Sequence, residues 1–209
     1  MKLKTLIIGL IIFTVPFSVI SQNYSQDNPG PSALRKFVET TNKLQIRKNI
    51  YLGKVKGQNK VDMHIWAVEY QQSDSGSVIL KGVKIKIIDR RSEFKHELSA
   101  LVDGDEVVEC ISFFNSMLNF SEEWKNEKKP LTEVVFVTKD NFKFNFIQDG
   151  KNQQSYSQIF YEDDLIICRF PSAKSKISEI KDLLDKAYLE LNLKVFDKAR
   201  NVQEINNIK

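Results

Sequence analysis

Polar and apolar residues alternate along much of this chain and recur at helical spacing in two later stretches. Between Val61 and Gln71, Val61, Met63, Ile65 and Ala67 oppose Asp62, His64, Trp66 and Val68. That is the two-residue period of a half-buried strand. Val78 to Ile88 repeats it, with Val83, Ile85 and Ile87 on one face and Lys84 and Lys86 on the other. Ile50 to Val55 reads as an earlier strand closed by a turn at Gly57-Gln58-Asn59, and Glu97 to Val102 as a fourth, shorter one. A short helix, with Leu34, Phe37, Val38 and Leu44 as its apolar residues, precedes them over 33–44.

The period then changes. Asp103-Gly104-Asp105 predicts a break and a helix cap, and Val107, Cys110, Ile111, Phe114 and Leu118 predict a helix over 105–120. Asp105, Glu106 and Glu109 fall in its first turns, where the helix dipole favours acids. Residues 121–130 read as a charged loop. A second strand series follows at 132–138, at Phe142, Phe144 and Phe146, at 155–161 and at 165–170. Ile177, Ile180, Leu184, Ala187 and Leu191 then mark a helix that starts at Ala173 or Ser175.

Strands joined by short turns pair antiparallel, and each helix must bury its stripe on a sheet. The expected fold is therefore α+β: a mainly antiparallel sheet of about seven to eight strands with two main helices packed on it. The order is strands-helix, strands-helix, although the two blocks share no sequence self-similarity. The chain divides into a signal peptide (1–21), a flexible leader (22–32), a single α+β domain (33–192) and a polar C-terminal tail (193–209).

The leader changes how the composition is read. Lys2 and Lys4 precede an apolar run from Thr5 to Ile20, and Val19-Ile20-Ser21 fits a cleavage site before Gln22. Export to a periplasmic or extracellular location follows, with an uncleaved N-terminal membrane anchor as the alternative. Cleavage removes two lysines and no acid, so the formal net charge of +4 falls to about +2. So small a charge argues against a nucleic-acid partner, and no stable membrane insertion is expected once the leader is gone. Lys43, Arg47, Lys48, Lys54, Lys56 and Lys60 make one region locally basic, as the solvent face of an edge strand would be.

Candidate chemistry is sparse. Leu101-Val102-Asp103-Gly104-Asp105-Glu106-Val107 carries Asp-x-Asp-x-Val after an apolar strand and resembles the nucleophile motif of haloacid-dehalogenase-type phosphatases. The resemblance implies an attacking Asp103, an acid/base Asp105 and Mg²⁺ between carboxylates. That family places the motif near the start of a parallel sheet, whereas four strands precede it here, so a turn and helix cap account for these residues. Neither this string nor Glu162-Asp163-Asp164 has the ligand spacing of a calcium loop.

His64 and His96 are the weak catalytic candidates, and no Cys-x-x-Cys or His-x-x-x-His accompanies them as a metal motif. No Gly-rich phosphate loop and no Gly-x-Ser-x-Gly occurs, so no cofactor is expected. Cys110 and Cys168 form either one disulfide in an oxidising compartment or two buried thiols. Phe136, Phe142, Phe144, Phe146, Phe160, Tyr161 and Phe170 crowd the second strand series. They form either a large-residue core or the wall of an apolar cavity. The functional expectation is an exported, non-enzymatic protein that binds an envelope partner or an apolar ligand between sheet and helices. The alternative is an exported hydrolase whose site uses His64 or His96 with acids.

Overall fold

The computed structural model describes residues 30–40, 44–72 and 79–193. The expected leader at 1–21, most of 22–32, the turn at 73–76 and the tail beyond residue 193 lie outside the described residues. The elements, in chain order, are α1 (Ala33–Glu39), β1 (Gln45–Lys56), β2 (Val61–Gln72), β3 (Ile79–Asp89), β4 (His96–Asp103) and α2 (Gly104–Trp124). Then come β5 (Lys129–Val137), β6 (Phe142–Gly150), β7 (Asn152–Tyr161), β8 (Asp164–Phe170) and α3 (Ala173–Glu190).

The α+β class, the antiparallel pairing and the strands-then-helix order are those the alternation predicts. The eight strands divide equally between two sheets, β1-β2-β3-β4 and β5-β6-β7-β8, each a meander of sequence neighbours. Each meander ends in a helix that returns over the core.

Register in the first sheet follows from the alternation. Ile65 pairs with Ile85, and Ile85 with Ala100, giving an inward row of fully buried or nearly fully buried side chains. The neighbouring outward row is Tyr51, Trp66, Lys84 and Leu101. The β1–β2 connection places Asn59 and Lys60 at φ 54° and 62°. Two successive left-handed residues match the right-handed twist of the flanking strands. In the second sheet Phe142, Phe144 and Phe146 all face inward and are wholly buried.

Both helical stripes enter the same core. Val107, Cys110, Phe114 and Met117 of α2, and Ile177, Ile180, Leu184 and Ala187 of α3, join Met63, Ile65, Phe144 and Phe146 in one apolar cluster. The Phe114 and Phe144 rings meet edge to face at 4.8 Å, and the Phe144 and Phe170 rings stack at 6.0 Å. The two sheets touch along β7 and β8. There Cys168 Sγ donates to the Val61 carbonyl at 3.5 Å, and the Gln58 N–H donates to the Arg169 carbonyl at 2.8 Å.

Boundaries shift where burial is one-sided or local chemistry misleads. The first helix ends at Glu39, and β1 begins at Gln45 rather than near residue 50. As an edge strand, β1 exposes most residues between 45 and 51, so no alternation marks its start. α2 runs to Trp124 because Ser121 is buried, its Oγ donating to Gln153 Oε1 at 2.7 Å, and Trp124 stacks on Phe120 at 4.9 Å. β5 starts at Lys129 and takes Pro130 into the irregularity between Lys129 and Thr132, at a sheet edge where a missing N–H is tolerated.

α1 lies on the outer face of the first sheet, over one end. Leu34 packs there with Val68, Tyr70 and Leu101, apart from the main core. Gly82 permits that approach. A Cβ at this position would overlap the Val102 carbonyl oxygen and come within 2.6 Å of Leu34 Cδ1.

Candidate functional site

The acids that resemble a phosphatase motif join three elements. Asp103 Oδ2 accepts the Ala33 N–H at 2.8 Å and Oδ1 accepts the Leu34 N–H at 3.0 Å, so its carboxylate caps the first turn of α1. Glu106 accepts the Asp103 N–H at 3.2 Å and the Lys139 N–H at 2.8 Å, and burial pushes its carboxyl up. Lys139 Nζ lies 3.1 Å from Asp105 and 3.8 Å from Asp103. Next to them Arg35 forks onto Asp140 at 2.8–3.1 Å, and Asp140 also accepts the Leu101 N–H at 2.7 Å. An open cleft of about 360 Å³ beside these groups is lined by Leu34, Leu80, Lys81, Asp103, Asp105 and Lys139. Both of its lysines are engaged, since Lys81 Nζ donates to the Leu191 carbonyl at 2.9 Å. Asp103 and Asp105 thus act as cap and ion-pair partner.

The other candidates are scattered. His96, at the start of β4, meets Asp164 of β8 at 2.5 Å, with both side chains about half exposed. Glu162 and Asp163 are exposed in the turn before β8, with Glu162 at φ 54°. His64 lies in the middle of β2 on the outer face, so the structure does not bring the two histidines together. Among the described residues no hydrogen bond joins either histidine to a serine or cysteine. Cys110 and Cys168 are separate buried free thiols. Burial raises both, Cys168 to about 12 and Cys110 well above its ordinary value. Among the described residues no group of three or more His, Cys, Asp or Glu is placed to hold a metal ion.

Of the aromatic residues of the second block, Phe142, Phe144, Phe146 and Phe170 belong to the packed interior, while Phe160 and Tyr161 are exposed. Phe114, Met117, Phe144, Phe146, Ile177 and Ile180 fill the space between the sheets and the helices and are wholly buried. Among the described residues no helix is long and apolar enough to cross a membrane.

A different group of residues converges on the outer face of the first sheet beside α1, where the partly buried Trp66 packs against the Leu34 cluster. Cross-strand pairing sets Tyr51, Trp66 and Lys84 in one row, and Lys54, His64 and Lys86 in the next. The three rings close into a triangle: Tyr51 to Trp66 5.3 Å, His64 to Trp66 5.8 Å, and Tyr51 to His64 5.9 Å. The Tyr51 hydroxyl lies 3.2 Å from His64 Nδ1, while His64 Nε2 is buried with no hydrogen-bond partner. Burial, and then the Arg90 charge, lower the His64 basicity, so the neutral ring is favoured. Tyr51 remains 51% exposed at the edge of the sheet.

Cations frame the rings. Lys86 Nζ sits 6.0 Å from the Trp66 ring centre and pairs with Glu97 at 2.5 Å. Glu97 is held down at about 2 by Lys86 and Lys95. Lys84 has no ion pair among the described residues. Burial first, and then the charge of Lys86, lower its basicity, with Arg35 and Arg47 adding to the effect. Periodicity alone put His64 and Trp66 on one face of β2. Tyr51 and Lys84 join them only through register, which the irregularity between Tyr51 and Gly53 resets. Comparison with family models, with curated proteins and with solved structures finds no match to this chain.

Proposed function

We propose that this chain is an exported, non-enzymatic binding protein and that it receives its partner on the open outer face of the first sheet. The observation that carries the reading is the Tyr51–His64–Trp66 triangle beside Lys54, Lys84 and Lys86. Large aromatic side chains outside the core, rimmed by polar groups, are the usual mark of a recognition surface. The position of Lys84 supports an anionic partner, because it stands beside the aromatic rings in the Tyr51–Trp66 row with no ion pair among the described residues. Export rests on the basic and apolar pattern of residues 1–21.

The test is amide chemical-shift mapping of the chain from residue 22 onward, with inorganic polyphosphate as a soluble polyanion that carries no sugar. The expected perturbations centre on Tyr51, Lys54, His64, Trp66, Lys84 and Lys86. Perturbations centred on the second sheet, or none at all, would overturn the assignment of this face.

A further inference from the structure

Resting on that reading of the outer face, we infer that its ligand is an anionic glycan: a chain of pyranose rings carrying carboxylates, as in a polyuronate. The geometry points to a ligand with two kinds of surface. Tyr51, His64 and Trp66 offer an aromatic patch against which the C–H face of a sugar ring can lie. Lys84 continues the Tyr51–Trp66 row on the next strand, and Lys54 and Lys86 flank His64 in the adjacent row. Strands are about 4.8 Å apart, so over roughly 10 Å one row reads ring, ring, cation and the next reads cation, ring, cation. A polymer with a flat apolar face and one carboxylate per ring can lay its rings on the aromatic patch and its carboxylates against the lysines beside it.

Charge density separates this ligand from a nucleic acid. A nucleic-acid binder typically neutralises about 6–10 phosphates. The outer face holds Arg47, Lys54, Lys56, Lys84 and Lys86, with Arg90 and Lys95 close to His64, but Lys86 and Lys95 are committed to Glu97 and Arg90 to Asp62. Export would place the protein among the glycans of the cell exterior.

The experiment is affinity electrophoresis of the chain from residue 22 onward through gels containing polygalacturonate, neutral dextran or a single-stranded oligodeoxynucleotide. Polygalacturonate is expected to retard the protein and dextran to leave it unretarded. Trp66→Ala and Lys84→Gln are each expected to weaken retardation by roughly tenfold. Lys84→Gln is a near-isosteric change at a half-buried position, which keeps the test independent of any folding defect in the tryptophan variant. Retardation by the oligonucleotide in preference to polygalacturonate, or wild-type retardation of both variants, would overturn the inference. If polyphosphate shifts map to this face while polygalacturonate gives no retardation, the glycan class fails and the binding face stands. If neither polymer engages the face, both fail.

Discussion

Asp140 is the residue whose removal tests the reading of the acidic cluster most sharply. Its carboxylate is 7% exposed and faces an Arg35 side chain that is 13% exposed. Asp140→Ala deletes the bidentate fork from Arg35 and the acceptor of the Leu101 N–H. An orphaned buried N–H costs about 1–3 kcal/mol, and breaking a buried ion pair from one side costs about 3–5 kcal/mol. Arg35 retains the Ser99 carbonyl at 2.7 Å and Glu39 at 3.9 Å, so the lower end applies. The expected loss is about 3 kcal/mol, or roughly 6–12 °C in Tm for a chain of this size.

Urea unfolding followed by circular dichroism would measure it. Asp140→Asn, which still offers the Leu101 N–H an acceptor, should lose about half as much. Arg35→Ala combined with Asp140→Ala should lose less than the two singles together, with a coupling of about 1–2 kcal/mol. A loss below about 1 kcal/mol for Asp140→Ala, with no coupling, would refute the claim that these charges tie α1 to the β5–β6 turn.

Four further outcomes are expected. Gly82→Ala should destabilise by about 1–3 kcal/mol by forcing apart β3, β4 and Leu34, and an unchanged urea midpoint would count against the close approach of α1. Phe144→Ala should cost about 3–5 kcal/mol, since the ring is wholly buried between Phe114 and Phe170; a smaller loss would mean that the interior closes around the gap. Ellman's reagent should find no fast-reacting thiol in the folded protein and two in urea without reductant, because both cysteines are buried and unpaired; none in urea would establish a disulfide. Glu97 is held at about 2 against an ordinary 4.5, so its contribution is complete above pH 4.5 and disappears as pH falls toward 2. Glu97→Gln should therefore flatten the fall in stability across that range, and an unchanged slope would show that Lys86 and Lys95 do not hold it.

What could be read from the sequence was local. Lys84 and Lys86 against Ile85 and Ile87, or the three phenylalanines of β6, declare their faces because neighbouring residues on a strand must point opposite ways. The division into two sheets was not legible, because it depends on β5 pairing with β6 while β4 stays an edge. No periodicity encodes a choice of partner. The capping of α1 by Asp103 was hidden for the same reason, since 69 and 70 residues separate the bonded groups. Of the candidate binding face, His64 and Trp66 were visible as outward neighbours. Tyr51 sits on an edge strand exposed on both sides, so its place in the triangle had to come from the register of β1 on β2.

The chain contains two tryptophans, Trp66 and Trp124, so Trp124→Phe leaves Trp66 as the sole indole reporter on the proposed binding face. Its emission should change saturably on titration with polygalacturonate and stay constant with dextran. The same titration of Trp124→Phe combined with Lys84→Gln should show a midpoint moved to roughly tenfold higher polymer. A protein that is retained by the polymer while Trp66 emission does not respond would bind it somewhere else, and the outer face of the first sheet would not be its recognition surface.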